Sequence, residues 1–274
     1  MSALQQKRIS RFRRGRVSAA KEHRKQLRIR NKLERQLLRR LTSLFGKFVN
    51  TRAYLFREFG QYDSAIASRD LQEELIPLMQ SHYRRVYQSV FQENNKTNTL
   101  QEQKDDVFVF DKNKDLEPFL NNYFKERNLI LVGISANVAN RVNKVIRDGR
   151  AENLTLIEIA RNIERIRGIT RTRAATIART ETHNAAGFAH HNYYQEVAKD
   201  YGANLKKKWV AANDERTRTS HAEMNAKEAI GMDESFIVGG KKMKHTGDPD
   251  GGPANNINCR CVIIYVDEQD VVLD

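Results

Sequence analysis

Apolar residues recur at helical spacing from about Val17 onward. Leu33, Leu37, Leu41, Leu44, Phe45 and Phe48 fall on one stripe, with Arg28, Arg35 and Arg39 on other faces, which predicts a long amphipathic helix. A second helix is predicted over about 70–93, with Leu75, Met79, Tyr83, Val86, Val90 and Phe91 on one side. Pro77 fits it only near a helix start or at a kink, because proline lacks the amide that an interior turn needs. The stretch QENNKTNTLQEQKDD (92–106) reads as a polar linker, and VFVF (107–110) as a short extended or buried piece. A long helix or helical pair follows over about 115–148, with Phe119, Tyr123, Leu129, Leu131, Ile134, Val138, Val142 and Val145 as its apolar positions. LTLIEIARNIERI (154–166) is amphipathic, with Thr155 placed to cap it. Residues 170–202 form a further long helix, Ala-rich in part, which Gly202 suits as the residue after the cap.

After about residue 203 the period changes. KKWVAAN, FIVGG and VIIYV are short β-like runs separated by loops rich in Gly, Asp and Asn, among them HTGDPDGGPANN (245–256). No internal repeat is visible. The expected fold class is α+β: a long-helical N-terminal region, then a compact C-terminal domain of helices packed on a small, mostly antiparallel sheet. The expected divisions are a flexible basic tail (1–16), a helical docking region (17–114) and a final domain (115–274) whose short-stranded part is 203–274.

Composition supports this picture without changing it. The chain has 274 residues, 39% of them hydrophobic, enough for a substantial core, and only four prolines to interrupt long helices. No apolar run is long enough to cross a bilayer, and no apolar segment follows the N-terminal charges as in a secretory leader. Two cysteines make no disulfide framework, which points to a reducing compartment such as the cytoplasm of a cell.

Charge does change it. The net charge is +14. Residues 1–50 hold sixteen Lys and Arg against two acids, Glu22 and Glu34, so the remaining residues balance to zero. A neutral body thus carries a cationic N-terminal arm. Lys7, Arg8, Arg11, Arg13, Arg14, Arg16, Arg24, Lys25 and Arg28 are its candidate binding residues, for double-stranded DNA or for an acidic protein face. Phe12 is the only aromatic residue before Phe45, so recognition by base stacking is not suggested, and DNA contact is expected to be independent of sequence. The arm lacks a Trp- or Leu-rich face near its basic start, which excludes a membrane partner. Residues 1–40 are expected to be poorly ordered in the free protein.

Three stretches carry the candidate chemistry. IARTETHNAA (177–186) lies on a helix and holds Arg179 and Glu181. KKWVAANDERTRTSH (207–221) holds Trp209, Asp214, Arg216, Arg218 and His221. FIVGGKKMKHTGDPDGGPANNINCRCVIIYV (236–266) ends in Asn258, Cys259 and Cys261. In this order they resemble the phage Mu F-like head morphogenesis family, the minor head proteins of tailed bacteriophages, over roughly residues 115–266. The resemblance implies a virion or procapsid component made with the portal protein and the major capsid protein. It further implies few copies, on the inside of the head near the portal. Two turns depart from the family pattern, Met224-Asn225-Ala226 and Thr246-Gly247-Asp248-Pro249, and altered loop detail is expected there.

The residues themselves leave a choice. Arginine pairs bidentately with carboxylate, so the Asp214–His221 segment reads as a structural corner, an Asp–Arg or Glu181–Arg pair pinning the loop to the helix. The alternative is a nuclease or phosphotransfer enzyme with His221 as general base and Arg216, Arg218 and Glu181 around a phosphate. The preferred expectation is a protein that is not an enzyme and has no cofactor. Cys259 and Cys261 are read as buried small thiols on one face of a strand, with Arg260 on the other. No metal is expected because Cys-x-Cys is an unusual zinc spacing; if one binds, His221, Cys259 and Cys261 are its ligands. His183, His190 and His191 are assigned no role, and GDPDGG is read as a turn rather than a calcium loop. The three motifs are expected to converge, with the Asp214–His221 loop against Asn258–Cys261 and near Arg179 or Glu181.

Overall fold

The structure is a computed structural model that describes residues 16–101, 116–201, 204–267 and 271–273. In chain order the elements are β1 (Arg16–Ser18), α1 (Ala19–Phe59), α2 (Ser64–Gln101), α3 (Glu117–Ala151), α4 (Leu156–Arg165), α5 (Arg167–Tyr201) and β2 (Leu205–Val210). Then come α6 (Thr219–Ala222), β3 (Ile230–Gly231), β4 (Phe236–Val238), β5 (Lys241–Met243), α7 (Gly252–Asn256), β6 (Val262–Asp267) and β7 (Val271–Leu273). The α+β expectation holds: long helices dominate the N-terminal part and small sheets the C-terminal part. Among the described residues no helix is long and apolar enough to cross a membrane.

The chain folds as two interleaved units. One comprises Met1–Leu33, Arg85–Phe119 and Thr180–Asp274, the other Glu34–Arg84 and Leu120–Arg179. The second unit is helical. Leu37, Leu41, Phe45, Leu75, Met79, Tyr83, Tyr123, Val138 and Val142 are all buried in it, as the apolar stripe requires. Tyr83 meets Tyr123 edge-on, with ring centroids 4.9 Å apart. Thr155 caps α4 in a capping box with Glu158, as its position predicts. Leu129, counted among the apolar positions of α3, is instead 80% exposed. Helix α2 runs through Pro77 rather than starting at it.

The first unit is built on a three-stranded antiparallel sheet, order β3-β2-β6. In the β2–β6 register Trp209 faces Ile263 and Val210 faces Val262. Because side chains alternate across a strand, Trp209 and Ile263 join the core with Cys259, Cys261, Met224, Phe236 and Met243. Val210, Val262, Ile264 and Val266 pack on the other face with Ala19. A parallel pair, β1 with β7, and an antiparallel hairpin, β4 with β5, complete the strands described.

Two expectations are corrected in this unit. Residues 92–101, read as linker, continue α2 as helix. Their polar side chains find partners on α5: Asn94 bonds His190 at 3.3 Å, and Asn95 accepts from the Tyr193 hydroxyl at 3.0 Å. The first turns of α1, expected to be poorly ordered, are helical from Ala19. Gln26 donates to the carbonyl of Ile263 and Arg30 to that of Cys261, both at 2.9 Å, and His23 bonds the carbonyl of Arg260 at 3.2 Å. These residues recur at three- and four-residue spacing, so one face of α1 covers the unpaired edge of β6 and satisfies its carbonyls. The candidate residues Lys7, Arg8, Arg11, Arg13 and Arg14, the VFVF stretch and Gly202 lie outside the described residues.

Candidate functional site

The site begins where β2 ends. Ala211 donates its amide to Asn225 Oδ1 at 2.8 Å, and the chain turns through Asn213 in the left-handed region, at φ 53°. Asp214 then organises the loop. Its Oδ1 accepts from the amide of Arg216 and the hydroxyl of Thr217, both at 3.1 Å. Both carboxylate oxygens also take the guanidinium of Arg260. That pair holds the Asp214 carboxyl well below the usual carboxylate range. Arg218 donates to the carbonyl of Ile257 at 2.6 Å, a second tether to the cysteine segment. The Arg216 side chain is 75% exposed, its Nη2 4.0 Å from Asp214.

Behind this tethered loop the residues become buried. His221 sits on the one-turn helix α6, 1% exposed. Its ring meets Trp209 edge-on at 5.6 Å, and Trp209 meets Phe236 in the same way at 5.5 Å. His221 Nε2 lies 3.3 Å from Asn255 Oδ1. The Asn255 amide nitrogen is committed to two carbonyls, Val238 at 3.1 Å and Gly251 at 3.0 Å, so its oxygen faces the histidine as an acceptor. His221 therefore carries its hydrogen on Nε2 and presents the Nδ1 lone pair inward. That lone pair faces two sulfurs, Cys261 Sγ at 3.3 Å and Cys259 Sγ at 3.6 Å. Both cysteines are free and buried. Contact with Cys261 holds the Cys259 thiol below the usual range, whereas Cys261 is pushed up by Cys259 and by burial.

Helix α5 supplies the remaining wall. Thr180 Oγ1 accepts from the amide of Asn258, which is held at φ 58°. Glu181 is buried. His183 is also buried and interacts with Cys259. Its Nδ1 lies 2.9 Å from Nη1 of Arg30, which can only donate, so the ring hydrogen is on Nε2. Nε2 has no hydrogen-bond partner among the described residues, and neither has Nε1 of Trp209, which lies beside Cys261. Burial lowers Arg30 to about 10, still charged at neutral pH, and no carboxylate pairs with it among the described residues. Further along α5, Gly187 lets the His245–Asp248 loop approach: a Cβ there would lie 2.0 Å from the Thr246 carbonyl oxygen. Asp248 is spent on that loop, accepting from the amides of Lys244 at 2.6 Å and Asp250 at 3.0 Å.

The structure thus brings Trp209, Asp214, Arg218, His221, Asn258, Cys259 and Cys261 together, with Glu181 nearby in sequence on α5. Arg179, expected near this corner, pairs with Glu34 at 3.2 Å in the helical unit. Of the arm residues described, Arg24 and Arg28 are exposed, Lys25 lies 4.0 Å from Glu93, and Arg16 opens β1. Four residues that sequence reasoning passes over prove central: Arg30, His183, Asn255 and Arg260. Arg260 has a signal, since alternation puts it opposite the cysteines and Asp214 needs a partner. Arg30 and His183 have none, because they are each other's partners across 153 residues of chain. The general-base role weighed for His221 lacks an open path: both ring nitrogens face buried protein groups.

Residues 137–264 match the family described as Phage Mu protein F like protein, so the resemblance seen in the motifs holds over that segment. The chain is 37% identical over 130 residues to an NAD(+)–arginine ADP-ribosyltransferase named EFV of Enterococcus faecalis, covering 47% of this chain and 26% of that protein. It is 30% identical over 132 residues to minor head protein GP7 of Bacillus phage SPP1, covering 46% of this chain and 40% of that protein. The chain thus spans well under half the length of these relatives. No solved structure matches it. The expectation of a protein that is not an enzyme is corrected by the first of these matches, because a protein named as an enzyme is 37% identical to this chain over 130 residues.

Proposed function

We propose that this chain is a head morphogenesis protein of a tailed phage, a minor component built into the head. The observation that carries the reading is the match of residues 137–264 to the Mu F-like family, accompanied by the similarity to a minor head protein. The site chemistry supports it. Asp214, Arg218, Asn255 and Asn258 are spent on bonds that hold loops together, as in a corner that sets a shape. In the finer reading the body contacts the portal and the major capsid protein on the inside of the head. The cationic N-terminal arm meets packaged double-stranded DNA without sequence preference, since its sixteen basic residues against two acids need a polyanion and it has almost no aromatic side chains. Producing the chain with and without its arm beside portal and capsid protein, then assaying particles for the chain, tests this. Incorporation that needs the body, and salt-dependent DNA retention that needs the arm, are the expected results.

A second reading is favoured by the 37% identity to the ADP-ribosyltransferase: an NAD-linked transfer to arginine. It ranks second because the match takes in 26% of that protein. Incubating the purified chain with NAD+ and an arginine acceptor, and following nicotinamide release, decides it.

A further inference from the structure

Three donor atoms of types that bind thiophilic metals converge in the core of the first unit. His221 Nδ1, Cys259 Sγ and Cys261 Sγ lie within 4.8 Å of one another, and all three residues are buried. In a tetrahedral zinc site with ordinary Zn–S and Zn–N bond lengths, a sulfur and a nitrogen ligand stand about 3.6 Å apart. The two His221-to-sulfur separations, 3.3 and 3.6 Å, fit that geometry without rearrangement.

The surroundings are those of an outer shell. Asn255 fixes the His221 tautomer that aims a lone pair, not a hydrogen, at the sulfurs. Two buried N–H groups with no oxygen or nitrogen acceptor, Trp209 Nε1 and His183 Nε2, lie against Cys261 and Cys259 respectively. A thiol sulfur is a weak acceptor for a buried N–H, and a sulfur anion is a much stronger one. Arg30, a buried cation with no carboxylate partner among the described residues, adds positive charge beside the same sulfurs. A neutral Cys261 thiol donating to the His221 lone pair accounts for the tautomer, but it supplies no anion for the two N–H groups or for Arg30.

We propose that His221 Nδ1, Cys259 Sγ and Cys261 Sγ bind a zinc ion that pins the DERTRTSH loop to the INCRC segment. His183 is an outer donor to Cys259 rather than a ligand, because Arg30 takes its Nδ1 and leaves a hydrogen on Nε2. Water or an anion completes the fourth position. Binding releases the thiol protons, and no electron transfer is involved. The proposal is independent of the head-protein reading.

The test uses the full chain, purified under reducing conditions from zinc-supplemented cells. Elemental analysis is expected to find a single zinc per chain, and a chelator to lower the melting temperature. Exchange for Co2+ is expected to give tetrahedral d–d bands and a thiolate-to-cobalt charge-transfer band, which binding at surface histidines does not produce. Substituting serine for both Cys259 and Cys261 should abolish the band, Asn255→Ala should weaken affinity roughly 10–100-fold, and Arg216→Ala should change neither. Because the double variant can misfold, the wild-type cobalt spectrum is decisive by itself. If reduced wild-type protein supplied with zinc or cobalt stays clearly substoichiometric and shows no charge-transfer band, the proposal is overturned. It is equally overturned if a folded double-serine variant holds as much metal as the wild type.

Discussion

The guanidinium of Arg30 lies 2.9 Å from Nδ1 of His183 and, through the same nitrogen, 2.9 Å from the carbonyl oxygen of Cys261. One side chain on the first helix thereby joins helix α5 to the strand that follows the cysteines. The N-terminal segment, cationic as it is, therefore divides in two. Its helical turns from Ala19 are part of the folded body, so the proposed DNA contact rests on the basic residues before them and on the exposed Arg24 and Arg28.

Arg30→Ala is expected to destabilise the protein by about 2–4 kcal/mol, since it strands a buried carbonyl and a buried imidazole nitrogen. Chemical denaturation measures this. Arg28→Ala, on an exposed position of the same helix, is the control and should change stability by no more than about 0.5 kcal/mol.

Removing residues 1–15 leaves every described interaction in place. It is expected to remove most of the DNA affinity and to flatten the salt dependence by about 0.9 in log–log slope for each phosphate no longer neutralised. Binding titrations on duplexes of unrelated sequence, at several salt concentrations, measure both quantities. Equal affinity and slope in the truncated protein would remove residues 1–15 from DNA binding.

Gly187→Ala is expected to cost about 1–3 kcal/mol. The added methyl would meet the backbone oxygen of Thr246, which cannot rotate away as a side chain does. A thermal melt of the variant measures the loss; unchanged melting would mean that the 245–248 loop does not pack on α5 as described.

Acid should loosen the first unit. Burial holds His190 well below its ordinary value, lowers His245, and brings His191 down to about 2. These rings stay neutral when folded but take up protons when unfolded, so the unfolded state binds more protons below about pH 6.5. The histidine contribution is expected to be level above that pH. Below it, stability should fall by about 1.4 kcal/mol per histidine per pH unit at most. Melting temperatures from pH 7.5 to 5 check the sign. His191→Phe should reduce the slope.

Lys207 adds the same sign of dependence in an alkaline window. It is buried, donating to the carbonyls of Met232 at 2.8 Å and Lys244 at 3.0 Å, and burial lowers it to about 8. Between about pH 8 and its ordinary 10.5 the unfolded chain keeps a proton that the folded chain has released, so wild-type stability should rise relative to Lys207→Met as pH climbs through that range. Denaturation of both proteins at pH 7.5 and 9.5 measures the difference.

Much of this architecture is legible in the sequence because apolar periodicity reports burial directly. The stripe from Leu33 to Phe48, the capping box at Thr155 and the alternation around Arg260 all follow from local spacing. Leu129 departs from its stripe because helical spacing alone does not say where a stripe stops being covered. The polar run after Gln92 reads as linker because its partners, His190 and Tyr193, lie about a hundred residues on. The same reason hides Arg30 and His183. A buried polar group is recognisable only from its partner, and composition carries no record of partners so distant.

The central claim is that this chain is built into a phage head. Its most direct measurement is cryo-EM and mass spectrometry of head particles assembled with the chain present and absent. The account predicts that the chain copurifies with the particles at a small, fixed copy number, with density for its folded body on the inside next to the portal. Particles that lack the chain, and that form and retain DNA equally well without it, would contradict the account.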